Sequence, residues 1–435
     1  MVCFYAEQIM RILKDKISRL LIKYRLLLEN IIALLSIRGL EYVLSFIAFP
    51  YLVRVLGPAL FGSIAFAQGI VQYFNLFTDY GFNLTGPREI AKHDSAGMRG
   101  KVFANVFWSK MTLLAVATIF FCILCCLGSL YSNYDVRIFA AVYISVIGSV
   151  IFPVWFFQGI QKMRYITFVC TIARCISVIS IFFLVKTRCD VLWAALLQSL
   201  PNFIAGLISW LILMKHYPET LRFSCWQDIK ETLVDSWDIF TSTVAINVYT
   251  ASNIVILGFM TNPAVVGYFS GAYKIIQCVQ KLMSPVSDAI YPHISKEIEQ
   301  DKTAAVHFIR KIAFILSGGM LILSMMLFIF AAQIVRLLMG PAYGESVMML
   351  RILSFIPFII SLSNVFGIQT MLPFGLQREF SRTLIASAVL NTIIIFPFIY
   401  FCGGNGVCWS MLVTECFVTS TMWIVLKRKH IFKQN

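Results

Sequence analysis

Charge is what this 435-residue sequence has least of. Asp, Glu, Lys and Arg make up 13% of it, against about 25% in soluble domains. Hydrophobic residues make up 59%, where soluble domains run at about 45–50%. That imbalance excludes a soluble enzyme, a disordered chain and a disulfide mini-fold. Recognisable catalytic and nucleotide motifs are missing as well. There is no G-x-x-x-x-G-K-[ST] loop, so no ATPase is built in, and no H-E-x-x-H. No Ser/His/Asp grouping falls in a plausible place. The five histidines (His93, His216, His293, His307, His430) all fall outside the apolar runs, which argues against a histidine proton relay in a membrane. The twelve cysteines are scattered. Cys122-x-x-Cys125 has metal-like spacing, but no second pair or nearby His completes a site. Neither a metal nor a cofactor is expected.

What is present is apolar runs. A bilayer core of about 30 Å needs about 20 apolar residues per helix. Twelve such runs can be read, at roughly 30–53, 62–84, 102–127, 138–158, 167–185, 191–214, 237–259, 268–292, 312–331, 347–373, 383–401 and 407–426. The connections are short. The longest on the predicted external side, roughly 332–346, is too small for a catalytic domain, which weighs against a membrane-embedded polysaccharide polymerase.

The scarce charge is unevenly placed. The net charge is +15, which in a soluble protein would suggest nucleic acid. With the N-terminus in the cytoplasm, 25 of the 36 lysines and arginines fall in cytoplasmic segments. External loops hold five: Arg54, Arg137, Lys186, Arg188 and Arg336. Positive residues mark the cytoplasmic side, so the charge is read as topology rather than as nucleic-acid binding. The predicted order is a basic cytoplasmic segment 1–29, a six-helix lobe 30–214, a cytoplasmic linker 215–236, a second six-helix lobe 237–426 and a cytoplasmic tail 427–435. Residues 9–28 can be written as a basic amphipathic helix on the membrane surface, or as a solvated tail.

Two patterns tie the halves together. Pro58-Ala59-Leu60-Phe61-Gly62 recurs as Pro263-Ala264-Val265-Val266-Gly267, at an offset of 205. Ile90-Ala91-Lys92 recurs as Ile294-Ser295-Lys296. The second helix carries Gln68, Gln72, Asn75, Asp79 and Asn83 on one face. The same offset lands on Tyr273, Gln277, Gln280, Ser284 and Asp288, flanked by Lys274 and Lys281. A polar stripe inside a membrane faces a partner helix or a water-filled cavity. Two equivalent stripes predict parallel repeats around one central cavity, although amides also simply hold helices together.

Central charges need an explanation, since each costs about 2.5–3.5 kcal/mol on insertion scales. Lys281, with no acid three or four residues away, is the leading candidate for an anion contact. Arg38, with Glu41 three residues on, and Lys274 are further candidates. Lys110 and Arg351 lie near span ends and are expected to snorkel. Gln72, Asn75, Gln277 and Gln280 are candidate hydroxyl partners. If an ion gradient drives the protein, Glu41, Asp79, Asp288 and Glu415 are the candidate carriers. Pro50, Pro153, Pro285, Pro357 and Pro397 are candidate kinks.

The motifs resemble a family. Phe49-Pro50-Tyr51-Leu52-Val53-Arg54-Val55-Leu56-Gly57-Pro58, then Phe61-Gly62, then Asp79-Tyr80-Gly81-Phe82-Asn83-Leu84-Thr85 are similar to the signature of bacterial O-antigen repeat-unit flippases (Wzx-type), in the polysaccharide transporter family. Pro153-Val154-Trp155-Phe156-Phe157-Gln158-Gly159, Ala289 to Ser295 and Ile360 to Gln369 resemble its later motifs. The resemblance runs from about Asn30 to Lys427. It implies an all-α fold of twelve transmembrane helices in two lobes around a central cavity, shared with multidrug exporters and the lipid II flippase. It implies transfer of an undecaprenyl-diphosphate-linked oligosaccharide across the bacterial inner membrane by alternating access, with proton or cation exchange open. A polysaccharide polymerase and a chain-length regulator are the partners it suggests. A multidrug exporter of the same fold is the main alternative; a non-transporting scaffold would not need central charges.

Overall fold

The architecture was analysed in a computed structural model. It describes Arg25 to Ile431, except Asp94 and residues 132–134; for residues 25–45, 128–131, 242, 245–251 and 289 it describes the backbone path alone. Most of the basic 9–28 segment lies outside the described residues. Among the described residues every regular element is helical.

The long apolar runs fold as expected for chains that must satisfy every backbone hydrogen bond internally. α1 (Arg25–Asp79) covers the first two predicted spans as one 55-residue path, bent at Gly57, whose φ of 73° only glycine adopts easily. α2 (Phe82–Ala91) follows a turn in which Tyr80 (φ 47°) and Gly81 (φ 78°) are both left-handed. Then come α3 (Ala96–Tyr131), α4 (Val136–Ile151), α5 (Val154–Gly159), α6 (Met163–Leu184) and α7 (Val191–His216). The second half consists of α8 (Trp226–Met260), α9 (Pro263–Lys281), α10 (Ser284–Gln300), α11 (Lys302–Ile329), α12 (Ala331–Leu338), α13 (Ser346–Leu353), α14 (Ile356–Phe366), α15 (Gln377–Cys402) and α16 (Gly404–Arg428). A π-helical turn, Gly367–Met371, continues α14.

Nine helical segments among the described residues are long and apolar enough to cross a membrane. None of the nine lies in Trp226–Gln300, where two further spans were expected. For the second of these, 268–292, the reason is the polar stripe. α9 and α10 carry Tyr273, Lys274, Gln277, Gln280, Lys281 and Asp288, and the crossing is divided at Leu282 and Met283. Pro285 therefore sits in the first turn of α10, not in mid-helix; a missing N–H costs nothing there. Pro153 precedes α5 and Pro357 opens α14. Only Pro50 and Pro397 of the candidate kinks are helix-interior.

One core joins both halves, Phe49, Val53 and Phe61 packing with Val266 and Phe269, and smaller cores lie within each half. Trp155, Phe156 and Phe157 are fully buried beside Phe103 and Phe82 in the first half. Asn391 of α15 donates to Thr414 of α16 at 3.1 Å in the second. The halves meet where α1 crosses α9. A Cβ placed on Gly62 would stand 1.8 Å from the carbonyl oxygen of Pro263, and one on Gly267 would stand 2.0 Å from that of Pro58. The two copies of the Pro-Ala-x-x-Gly repeat thus lie against each other, each glycine admitting the other copy's proline carbonyl. Arg54 of α1 also donates to the backbone carbonyl of Leu337 in α12, close beside this crossing.

Candidate substrate cavity

Below the crossing the helices part around a cavity of about 390 Å³. Its apolar wall includes Phe49, Leu52, Phe61 and Ala65 of α1 and Ile254 of α8. Its polar wall is built from three helices: Gln68 and Gln72 of α1, Gln198 of α7, and Ser270, Tyr273, Lys274 and Gln277 of α9. Of the two predicted stripes, Gln68, Gln72, Tyr273 and Gln277 share this one space, and the other members lie outside its lining. Gly69 lets α8 approach, since a Cβ there would touch Val255 at 3.0 Å.

The polar groups are incompletely satisfied by each other. Gln68 Nε2 reaches Gln198 Oε1 only at 3.4 Å, while Gln198 donates to Ala194 at 3.1 Å. Tyr273 and Gln277 share a side-chain hydrogen bond. Ser270 is 8% exposed and its hydroxyl has no partner among the described residues. A buried polar group left unpaired costs about 1–3 kcal/mol, so such a wall is suited to a polar guest.

Lys274 is the charge in this wall. It is half-buried, and no carboxylate pairs with it among the described residues. Among the described residues, the lysine and arginine side chains that act on it are Lys281 and Arg174. Three positive groups within electrostatic reach form a field that an anion relieves.

Of the other predicted site residues, Lys281 and Asp288 are exposed and outside the cavity lining. Gln280 is also outside it, and Asn75 accepts a hydrogen bond from Ser149 of α4 at 3.1 Å. Glu415 of α16 is half-buried within electrostatic reach of Tyr273. Arg38 and Glu41 lie on α1 where only the backbone path is described. Lys110 differs from expectation: it is 3% exposed and pairs with Asp79 at 3.2 Å, rather than snorkelling. Packing buries its ammonium midway along α3, and the carboxylate at the end of α1 compensates the charge. Gln198 and Ser270 were not singled out in the sequence. A lone glutamine in the apolar run 191–214 was the available signal for the first; a single serine gives none for the second.

No group of three or more potential metal ligands occurs among the described residues. The sequence profile of the polysaccharide biosynthesis protein family matches residues 27–298. The chain belongs to that family. Members similar to it include a proposed O-antigen transporter of Escherichia coli (strain K12), 36% identical over 93% of this chain and 97% of its own length. A proposed O-antigen transporter of Shigella dysenteriae is 29% identical over 92% of this chain and its full length. Among solved structures, the fold is shared with an inward-facing multidrug resistance MATE transporter of the MOP superfamily (TM-score 0.69, 12% identity, 91% of this chain and 99% of that one). It is shared equally with the lipid II flippase MurJ in an inward closed conformation (TM-score 0.68, 10% identity, 92% and 89%).

Proposed function

We propose that this member of the polysaccharide biosynthesis family is a flippase for a lipid-linked oligosaccharide, not an enzyme. Its substrate is an undecaprenyl-diphosphate-linked repeat unit, moved from the cytoplasmic to the periplasmic leaflet of the inner membrane. The observation that carries this is Lys274: a cation in the cavity wall, within electrostatic reach of two more cations, with no acid paired to it among the described residues. A diphosphate supplies the missing negative charge, and the glutamines and Ser270 of the same wall supply partners for sugar hydroxyls. The lipid tail stays in the bilayer while the head crosses. The names of the relatives support the same substrate class. A multidrug exporter with cationic substrates fits this wall poorly.

Twelve crossings follow if α1 is two spans bent at Gly57 and α9–α10 is one. Both termini then lie in the cytoplasm, as the basic residues require, and the Pro–Gly crossing lies on the periplasmic side. The crossing seals the cavity from the outside, and transport requires it to part. Glu415, within electrostatic reach of Tyr273 in the cavity wall, is placed to couple an ion, ahead of the exposed Asp288; Asp79 is held by Lys110, and Glu41 stays a further candidate. The released unit is what a polysaccharide polymerase would consume.

The test is Lys274→Ala in a strain lacking the chromosomal copy. Surface polysaccharide should fall at least about tenfold at unchanged protein level, the effect of losing one charged contact of about 1.5–3 kcal/mol. Lys274→Arg should retain most of it. Full polysaccharide in the alanine variant would remove Lys274, and with it the anion argument.

A further inference from the structure

A second cavity opens at the same end of the bundle as the Pro–Gly crossing. It has a volume of about 440 Å³, within the range of about 300–1,000 Å³ of small-molecule sites. Its walls come from the starts of three helices, with Asn262 just before α9, Glu345 just before α13 and Asn405 in the first turn of α16. Tyr268 and Met349 line it too, and Cys402 stands at its edge.

Its chemistry differs from that of the central cavity. No lysine or arginine lines it, so it has nothing for a diphosphate. Asn405 Oδ1 is shielded from solvent and has no hydrogen-bond partner among the described residues. Asn262 Oδ1 is occupied by the Val265 N–H at 3.1 Å, which leaves its NH₂ to donate outward. The Asn262 donor, the Glu345 carboxylate and the Tyr268 phenol, together with the apolar faces of Tyr268 and Met349, match a ring that carries hydroxyls on its edge and C–H groups on its face; the unpaired Asn405 acceptor lies just behind this wall.

The repeat shows that this space is not simply inherited. Shifting Asn262 back by 205 gives Gly57, and there the Arg188 guanidinium lies 3.8 Å from where a Cβ would stand. One half fills the position with its own side chain, while the other leaves it open and lined with polar groups.

We infer that the pocket at the starts of α9, α13 and α16 is a second, cation-free carbohydrate subsite, which takes sugars of the oligosaccharide at the external mouth. It rests on the flippase reading for the origin of the sugar. Because Asn262 immediately precedes the Pro263–Gly267 motif, a sugar held here sits against the crossing that seals the central cavity. The two sites divide the substrate: the diphosphate goes to Lys274 and sugars go to the outer pocket.

Cys402 gives a native reporter, since it is exposed at the pocket edge, while Cys189 is exposed elsewhere. The purified full chain is treated with a thiol reagent, with and without the free reducing oligosaccharide released from the host's own repeat unit by mild acid. Labelling of each cysteine is followed by peptide mass spectrometry. The oligosaccharide should slow Cys402 at least about fivefold, with Cys189 unchanged. Asn405→Ala and Glu345→Gln should each weaken the protecting concentration by about fivefold, the loss of one hydrogen bond. Glu345→Gln keeps the side chain's shape and guards against a folding defect, and Lys274→Ala should leave protection intact. Equal labelling with and without oligosaccharide, or protection that Lys274→Ala abolishes and the pocket variants do not, overturns the subsite. Neither result touches the flippase reading, which stands or falls on surface polysaccharide in Lys274→Ala.

Discussion

Asp79 and Lys110 show how far a single residue's role depends on what lies opposite. Lys110 is buried, while Asp79 keeps 25% of its side-chain surface. Removing one partner of a buried pair costs about 3–5 kcal/mol, because the other charge is left uncompensated, whereas replacing both is often neutral. Asp79→Asn should therefore lower thermal stability strongly, Lys110→Met less so, and the double variant should recover most of the loss. Melting of the three proteins in detergent checks the order. The same series bears on coupling: transport retained in the double variant would exclude Asp79 as an ion carrier. Gly62 and Gly267 are the other positions where one atom decides. A methyl at either would collide with a backbone carbonyl, which cannot rotate away as a side chain can. Overpacking of this kind costs about 1–3 kcal/mol. Gly62→Ala and Gly267→Ala should each cut surface polysaccharide. Their double variant should be little worse than either, since both break one contact; additive loss would mean the two glycines act separately.

At the scale of elements, the helices end where local chemistry stops them. Asp301 begins α11 by accepting from the Thr303 and Ala304 N–H groups at 2.8 and 3.2 Å and from the Thr303 hydroxyl at 2.5 Å. These bonds, the hydroxyl's first, hold its carboxyl below the ordinary aspartate range. A carboxylate whose folded pKa is depressed stabilises above its unfolded pKa and loses that contribution as pH falls through the folded one. Melting temperature should drop across acidic pH, and Asp301→Asn should flatten part of that drop; an unchanged profile would deny the cap any role. The apolar runs between such caps were legible in the sequence. So was the offset of 205 that places Pro58–Gly62 on Pro263–Gly267. The division of the eighth predicted span at Leu282 and Met283 was not, because its apolar content continues through the break and Pro285 suits a helix start as well as a kink. The pairing of Asp79 with Lys110 was equally hidden: 31 residues separate them, and only the packing of α3 on α1 brings them together. Gln72, Lys274 and Gln277 were found by periodicity. Asn75 shares that periodicity yet bonds to α4, since a stripe fixes a face of a helix but not which neighbour each residue on it meets.

The whole molecule turns on which way it faces. If the basic residues orient it as proposed, the crossing of α1 and α9 lies outside, and the cavity with Lys274 is sealed from that side. The cysteines make this testable without new side chains. Cys189 and Cys402 are exposed on the proposed periplasmic side and Cys225 on the cytoplasmic side. In spheroplasts a membrane-impermeant maleimide should label Cys189 and Cys402, and label Cys225 only after permeabilisation. The reverse pattern would invert the molecule and put the crossing on the cytoplasmic face. Lys274 would then be sealed from the leaflet in which the substrate is made, and the direction of transport proposed for this chain would have to be abandoned even if Lys274 proved essential. The expected pattern ties the charge asymmetry to mechanism: the basic residues at the helix ends fix the side from which Lys274 is reached.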